Sequence, residues 1–201
     1  MTTERTNTTY VVPAVAGSRP PRPTSTTWRE VEAVLLRHYF QPDLQAARAF
    51  YAAIAAHGLT GQPVWPMLVG PPGSMKTELL SGMEPLKGVI LVDQITAQTF
   101  ISGHIVEKGD DLVPAGLLGR IGTSGMIVYP DFSTILAMKA EAKASILADM
   151  RRIYDGHIRK EFGTANNLKT REWRGRITFA VAATPAVDSH YGIFQSLVSC
   201  F

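Results

Sequence analysis

Eight residues, GPPGSMKT at positions 70–77, constrain this chain more than any others. An apolar run, VWPMLV (64–69), leads into them, and KTELLSGM (76–83) follows with helical character. The order strand, tight turn, helix is half of a parallel βαβ unit, so it selects a layered α/β architecture over an all-helical or all-β one. Each residue type in the turn has a use. Gly70 and Gly73 let the backbone bend with no Cβ in the way. Pro71, Pro72, Ser74 and Met75 complete a loop whose successive N–H groups can face one concavity and bind phosphate oxygens. The helix that starts near Lys76 brings its positive end to the same place. Lys76 is long enough to reach β- and γ-phosphates, and the Thr77 hydroxyl can ligate Mg²⁺.

The rest of the chain repeats the alternation. GVILVD (88–93), GMIVYPD (125–131) and RITFAVAAT (176–184) read as further buried strands, as does VWPMLV. Between the last two, apolar positions Ile135, Met138, Ala142, Ile146, Met150 and Ile153 recur near a 3.6-residue period. They predict a long amphipathic helical stretch from Ser133 to about Phe162, interrupted at Asp155-Gly156. The expectation is a parallel sheet with helices on both faces. Ahead of this core, residues 27–58 predict two helices. Thr27 caps the first, with Glu30 at capping-box spacing. Pro42 breaks it, Asp43 starts the second and Gly58 ends it. Residues 1–26 are rich in Thr, Pro and Ser and read as a disordered, solvated tail, in which Arg19 and Arg22 could touch an acidic partner. The domain reading is therefore tail 1–26, helical extension 27–58 and core 59–201.

Composition removes several function classes. The single cysteine, Cys200, excludes a disulfide framework and a cysteine-rich zinc site. No apolar run approaches the roughly 18 residues of a membrane span. The opening residues, MTTERTNTTY, lack a signal-peptide core, so the expected location is cytoplasmic, with no membrane partner. A net charge of +3 is too mild to identify a nucleic-acid partner.

GPPGSMKT resembles the Walker A loop of P-loop NTPases, and GPPG followed by KT is similar to the form found in AAA+/RecA-like ATPases. The resemblance extends over about residues 64–190. It implies a three-layer P-loop NTPase core that takes ATP and Mg²⁺. MIVYPD resembles a Walker B segment, which makes Asp131 the second metal-holding group beside Thr77; the same aspartate could instead cap the next helix, a job also open to Ser133. AVAATP (180–185) places Thr184 where such ATPases carry a residue that senses the γ-phosphate. On this reading Lys76, Asp131 and Thr184 are the catalytic set. The stretches MIVYPDFSTIL and RGRITFAVAATPAVD resemble ATPases of phages and mobile elements, which implies a role in DNA replication, packaging or transfer.

This sequence departs from the family pattern in three places. Met75 stands where the residue before the lysine is normally Gly; its side chain could weaken binding, shift the loop, or point away. Phe132 stands where many AAA+ ATPases have a Glu that serves as catalytic base. The chain stops at QSLVSCF, where the family normally continues into a fifth strand and a helical lid, so the core reads as lacking that lid. The expected function is a Mg-dependent ATPase coupled to DNA processing; a nucleotide-binding module with little hydrolysis and a small-molecule kinase are the alternatives. A homo-oligomer is compatible with the family.

The basic stretch 151–176 admits two readings: a DNA-backbone contact with Trp173 available for stacking, or solvated helix ends with a hairpin turn near Gly175. Asp93, closing the second strand, is either a polar group near the site or a turn former. GLLGRIGTSG (116–125) reads as a helix end and connector, since no strand leads into it. EKGDD (107–111) reads as a solvated loop, and the five histidines show no metal-ligand spacing.

Overall fold

The computed structural model of the chain describes residues 26–96, 98–102, 105–108, 111–114, 116–163 and 169–190. The predicted tail, apart from residue 26, lies outside them, as do Asp110 and the C-terminal residues 191–201.

The helical extension forms as its caps dictate. In α1 (Trp28–His38) the Glu30 carboxylate accepts the Thr27 N–H at 2.6 Å and the Thr27 hydroxyl at 3.1 Å, closing a capping box. In α2 (Leu44–Ala55) Asp43 Oδ1 accepts the Ala46 N–H at 2.9 Å, and a short 3-10 turn, Ala56–Gly58, ends it. The next elements are β1 (Met67–Val69), α3 (Lys76–Ser81) and β2 (Val89–Leu91). A hairpin of β3 (Ile105–Lys108) and β4 (Asp111–Pro114) follows, then α4 (Leu117–Ile121), β5 (Ser124–Tyr129), α5 (Ser133–Leu136) and α6 (Ala140–Tyr154). The hairpin of β6 (His157–Phe162) and β7 (Lys169–Arg174) precedes β8 (Arg176–Ala183), and a 3-10 segment, Pro185–His190, comes last.

Four of these strands form one parallel sheet in the order β1-β8-β5-β2. The fold is thus mixed α/β. Position in the sheet explains composition. The central strand β8 is buried at seven of its eight residues, and its sequence is a nearly continuous apolar run. Its side chains divide by parity. Ile177, Phe179, Val181 and Ala183 join a cluster with residues of α4, α5 and α6, whereas Ala180 and Ala182 join another with residues of α1, α2 and α3. The alanines leave room for α3 to lie close to the sheet.

Four expectations need correction. VWPMLV is not a fully buried strand: the ladder holds only Met67–Val69, at the sheet edge, with Val69 49% exposed. Pro66 has no N–H to give and contributes its carbonyl, which accepts the Val181 N–H at 3.0 Å. The helical stretch does not reach Phe162. It breaks after Leu136, resumes as α6 and ends at Asp155, and HIRKEF becomes β6, whose alternating burial has a period of two. Of EKGDD, Glu107 and Lys108 belong to β3 and Asp111 to β4 rather than to a free loop, so a strand does precede GLLGRIGTSG; that segment still forms α4 and a connector. β6 pairs antiparallel with β7, and Gly175 is not in a hairpin turn but joins β7 to β8. Among the described residues no helix is long and apolar enough to cross a membrane.

Candidate functional site

In an open parallel sheet the carboxyl ends of the strands are where loops converge on ligands. Here β8 lies between β1 and β5, so its tip, Thr184, falls between the loop that follows β1 and the aspartate that follows β5. One cleft of about 340 Å³ takes its walls from all three: Pro72 to Glu78 from the loop and α3, Pro130 and Asp131 from the end of β5, and Ala182 to Thr184 from β8. Lys76, Thr77, Asp131 and Thr184, four residues proposed from sequence for one site, therefore share one cavity. Gly70 and Pro71 sit beside it. They line a neighbouring cavity of about 170 Å³ together with Asp43 and Ala46 of the helical extension.

The loop is held by its own polar groups. Lys76 Nζ donates to the carbonyls of Gly70 and Pro71, both at 2.7 Å, and to Ser74 Oγ at 3.0 Å. A Cβ on Gly70 would lie 2.7 Å from Ser74 Oγ, so the Ser74 side chain would have to turn aside. Gly73 is required by conformation, with φ +77°. The first turn of α3 leaves the N–H groups of Lys76, Thr77 and Glu78 without an intrahelical acceptor, as every helix start does.

Met75 is settled by its backbone. It adopts φ 63° and ψ 5°, a left-handed conformation that costs a non-glycine residue about 1–2 kcal/mol. That geometry turns the side chain into the apolar cluster with Leu79, Leu80 and Phe50, where it is buried. Met75 is thus buried in the apolar cluster while still contributing to the wall of the cleft. Burying a methionine contributes about 1.5–3 kcal/mol, which outweighs the strain. Met75→Gly is therefore expected to lower stability by about 1 kcal/mol while leaving the loop's N–H groups in place. Thermal denaturation followed by circular dichroism checks this, and a rise in melting temperature would show that strain dominates.

Asp131 is exposed and serves the chain locally with one oxygen: Oδ1 accepts the Ser133 N–H at 3.1 Å, at the start of α5. This bond engages the first N–H of α5, whose N-cap residue is Phe132. Ser133 acts elsewhere. Its hydroxyl accepts the Thr184 N–H at 3.2 Å and lies 3.3 Å from the Thr184 hydroxyl, tying the start of α5 to the tip of β8. Sequence reasoning gave Ser133 no part in the site. The only signal was its place two residues beyond Asp131. Behind it, burial holds the Tyr129 phenol above its ordinary pKa of 10.0; the bond to Thr134 opposes this, and the Asp131 charge adds to it.

Phe132 is fully buried in the core, and its N–H donates to the Ala182 carbonyl at 2.7 Å. The position after Asp131 thus presents backbone and apolar carbon to the sheet, not a base. The second carboxylate of the cleft is Glu78, which follows Thr77 directly and which sequence reasoning passed over. Asp93 is exposed and does not line the cleft. Among the described residues no group of three or more His, Cys, Asp or Glu side chains could hold a metal. A hydroxyl and one carboxylate facing the same cleft, Thr77 and Asp131, still suit Mg²⁺, which keeps several waters and takes its remaining ligands from phosphate.

The basic stretch is largely occupied within the fold. Trp173 is buried and its indole N–H donates to the Gly122 carbonyl at 2.7 Å, so it offers no stacking face. Lys160 pairs with the buried Asp149 of α6. On the outer face of the hairpin Arg159 stands opposite Glu172, which also binds Arg174 at 2.6 Å and His157 at 3.2 Å. The Arg174 hydrogen bond draws the Glu172 carboxyl below its usual 4.5.

No protein-family model matches the chain, and no curated protein sequence matches it.

Proposed function

We propose that the chain is a P-loop nucleotide-binding core of the AAA+/RecA-like kind that takes ATP with Mg²⁺ and hydrolyses its terminal phosphoanhydride. One observation carries the reading: the loop 72–77, Asp131 and Thr184, from three separate stretches of sequence, line a single cleft at the carboxyl ends of parallel strands. The alternation of helices on both faces of the sheet supports the three-layer core that this reading requires.

The residues divide the work by chemistry. Backbone N–H groups of the loop and of the first turn of α3 face phosphate oxygens. Lys76 exchanges the carbonyls of Gly70 and Pro71 for β- and γ-oxygens, replacing neutral acceptors with charged ones, a stronger class of hydrogen bond. Thr77 and Asp131 would hold Mg²⁺, which would supply positive charge against that of the phosphates. Thr184, steadied by Ser133, contacts the terminal phosphate or orients water.

A test of the metal assignment uses Asp131→Asn, which keeps an acceptor for the Ser133 N–H. Wild-type affinity for a fluorescent ATP analogue is expected to rise at least tenfold on adding Mg²⁺. The variant should lose most of that increment without losing metal-free binding. An unchanged Mg²⁺ response would remove Asp131 from the metal site.

A second reading is favoured by one specific feature. With Phe132 buried where a base would stand, the same cleft suits a module that binds nucleotide and turns it over slowly or not at all. Phosphate release under saturating ATP separates the two. A role in DNA processing, in a phage or mobile element, rests on sequence resemblance and predicts turnover stimulated by DNA and weakened steeply by salt. Exposed cations for such a contact are Arg151 and Arg152 on α6 and Lys169 on β7.

A further inference from the structure

At the opposite end of the sheet, a second polar cluster fastens the helical extension to the core. His57, in the 3-10 turn that ends α2, places Nδ1 2.9 Å from the Thr178 hydroxyl of β8 and Nε2 3.2 Å from the Ser124 hydroxyl of β5. One imidazole thus bridges the two central strands. Beside it, the Arg176 guanidinium gathers the carbonyls that end α2 and its turn. Nε donates to Gly61 at 2.9 Å, Nη1 to His57 and Nη2 to Ala56 at 3.4 Å.

We propose that His57 is an acid-sensitive latch: neutral, it fastens the end of α2 to β5 and β8, and protonated, it loosens that attachment. The argument rests on hydrogen-bond capacity. In either tautomer a neutral imidazole has one donor and one acceptor nitrogen, so it can serve both hydroxyls. Protonation removes the acceptor nitrogen in either tautomer and leaves two N–H donors. The hydroxyl that had donated to the ring must then turn to accept, and its own proton loses its acceptor. In the tautomer in which Thr178 donates to Nδ1, that proton is fully buried and cannot turn to water, so the unmade bond carries a desolvation cost.

Charge acts in the same direction. The groups facing the ring are Ser124 from β5 and Thr178 and Arg176 from β8, and of these only Arg176 is charged. It is protonated at any working pH and fixed by its carbonyl partners. An imidazolium would stand next to it with no carboxylate among these groups to compensate. Burial first, and Arg176 second, hold His57 below its ordinary pKa of 6.5. Because the folded state disfavours the charged form, the latch is fully closed above pH 6.5 and is withdrawn as pH falls below that value, until the folded pKa is passed.

Hydrogen–deuterium exchange over residues 44–58 tests this, corrected for the intrinsic effect of pH on exchange. Wild-type protection is expected to fall between pH 7.5 and 5.0, by about tenfold for each unit that separates the folded pKa from 6.5. His57→Gln keeps a donor and an acceptor but cannot titrate, and its protection should stay flat over the same range. An equal loss in His57→Gln would assign the effect to another group and overturn the latch. So would unchanged protection in wild type. Should the variant not fold, the NMR titration of the His57 ring in wild type decides: a midpoint at or above 6.5 refutes the proposal.

Discussion

Replacing Lys76 with alanine is expected to weaken the binding of a fluorescent ATP analogue, measured with Mg²⁺, by about 100-fold. A hydrogen bond from a charged group to a charged acceptor contributes about 1.5–3 kcal/mol, and 1.4 kcal/mol is one decade of affinity. Removing two such bonds to phosphate, partly offset by water, costs about 3 kcal/mol. The same change should affect folding little. In the chain as it stands, the ammonium bridges Gly70, Pro71 and Ser74, all within one loop, and none of these bonds joins separate elements of the fold. Affinity and melting temperature should therefore separate. A variant that melts normally and binds nucleotide as well as wild type would refute the phosphate-loop assignment, and with it the roles given to Thr77, Asp131 and Thr184. A variant that loses binding only because it unfolds would show that Lys76 is a structural strut.

What the sequence made legible was what is local or buried on both sides. GPPGSMKT is a run of consecutive residues, so its loop could be read without knowing the fold. β5 and β8 are covered on both faces, and their apolar runs announce them. The edge strand β1 was over-read because Val64, Trp65 and Pro66 are apolar for another reason. They lie ahead of the ladder, and Trp65 fills the core beneath it. The β6–β7 hairpin escaped because its inner face interrupts apolar residues with charge: between Ile158 and Phe162, Lys160 satisfies Asp149 on a neighbouring helix, a pairing that no periodicity records. Distance in sequence hid the rest. Ser133 meets Thr184 across 51 residues, and His57 meets Thr178 across 121. Met75 differs again. Its type is written in the sequence, but the direction of its side chain follows from a left-handed φ that appears only once the turn is built.

The largest effect on stability is expected at Trp65. Its indole is 1% exposed and lies against Tyr154, with ring centroids 5.3 Å apart and planes at 90°, and against Phe179, also at 5.3 Å. Its N–H donates to the Ile177 carbonyl at 2.7 Å. One side chain thus joins the approach to β1, the end of α6 and the central strand β8. Trp65→Ala removes the packing, opens a cavity and deprives a buried carbonyl of a donor, for a loss of about 3–5 kcal/mol. In a domain of this size each kcal/mol moves the melting temperature by about 2–4 °C, so a fall of roughly 10–15 °C is expected. Trp65→Phe keeps most of the ring packing and gives up the hydrogen bond, so it should cost about 1–2 kcal/mol. The ordering matters more than either value. Among the described strands β1 lies at the edge with one ladder partner, and it delivers the loop that follows it, Gly70–Met75, to the cleft. If Trp65→Ala costs no more than Trp65→Phe, the core closes over the missing ring, and the ladder to β8 alone holds β1. If the alanine variant is much the weaker, the loop's position depends on an aromatic anchor at the far end of the strand that carries it.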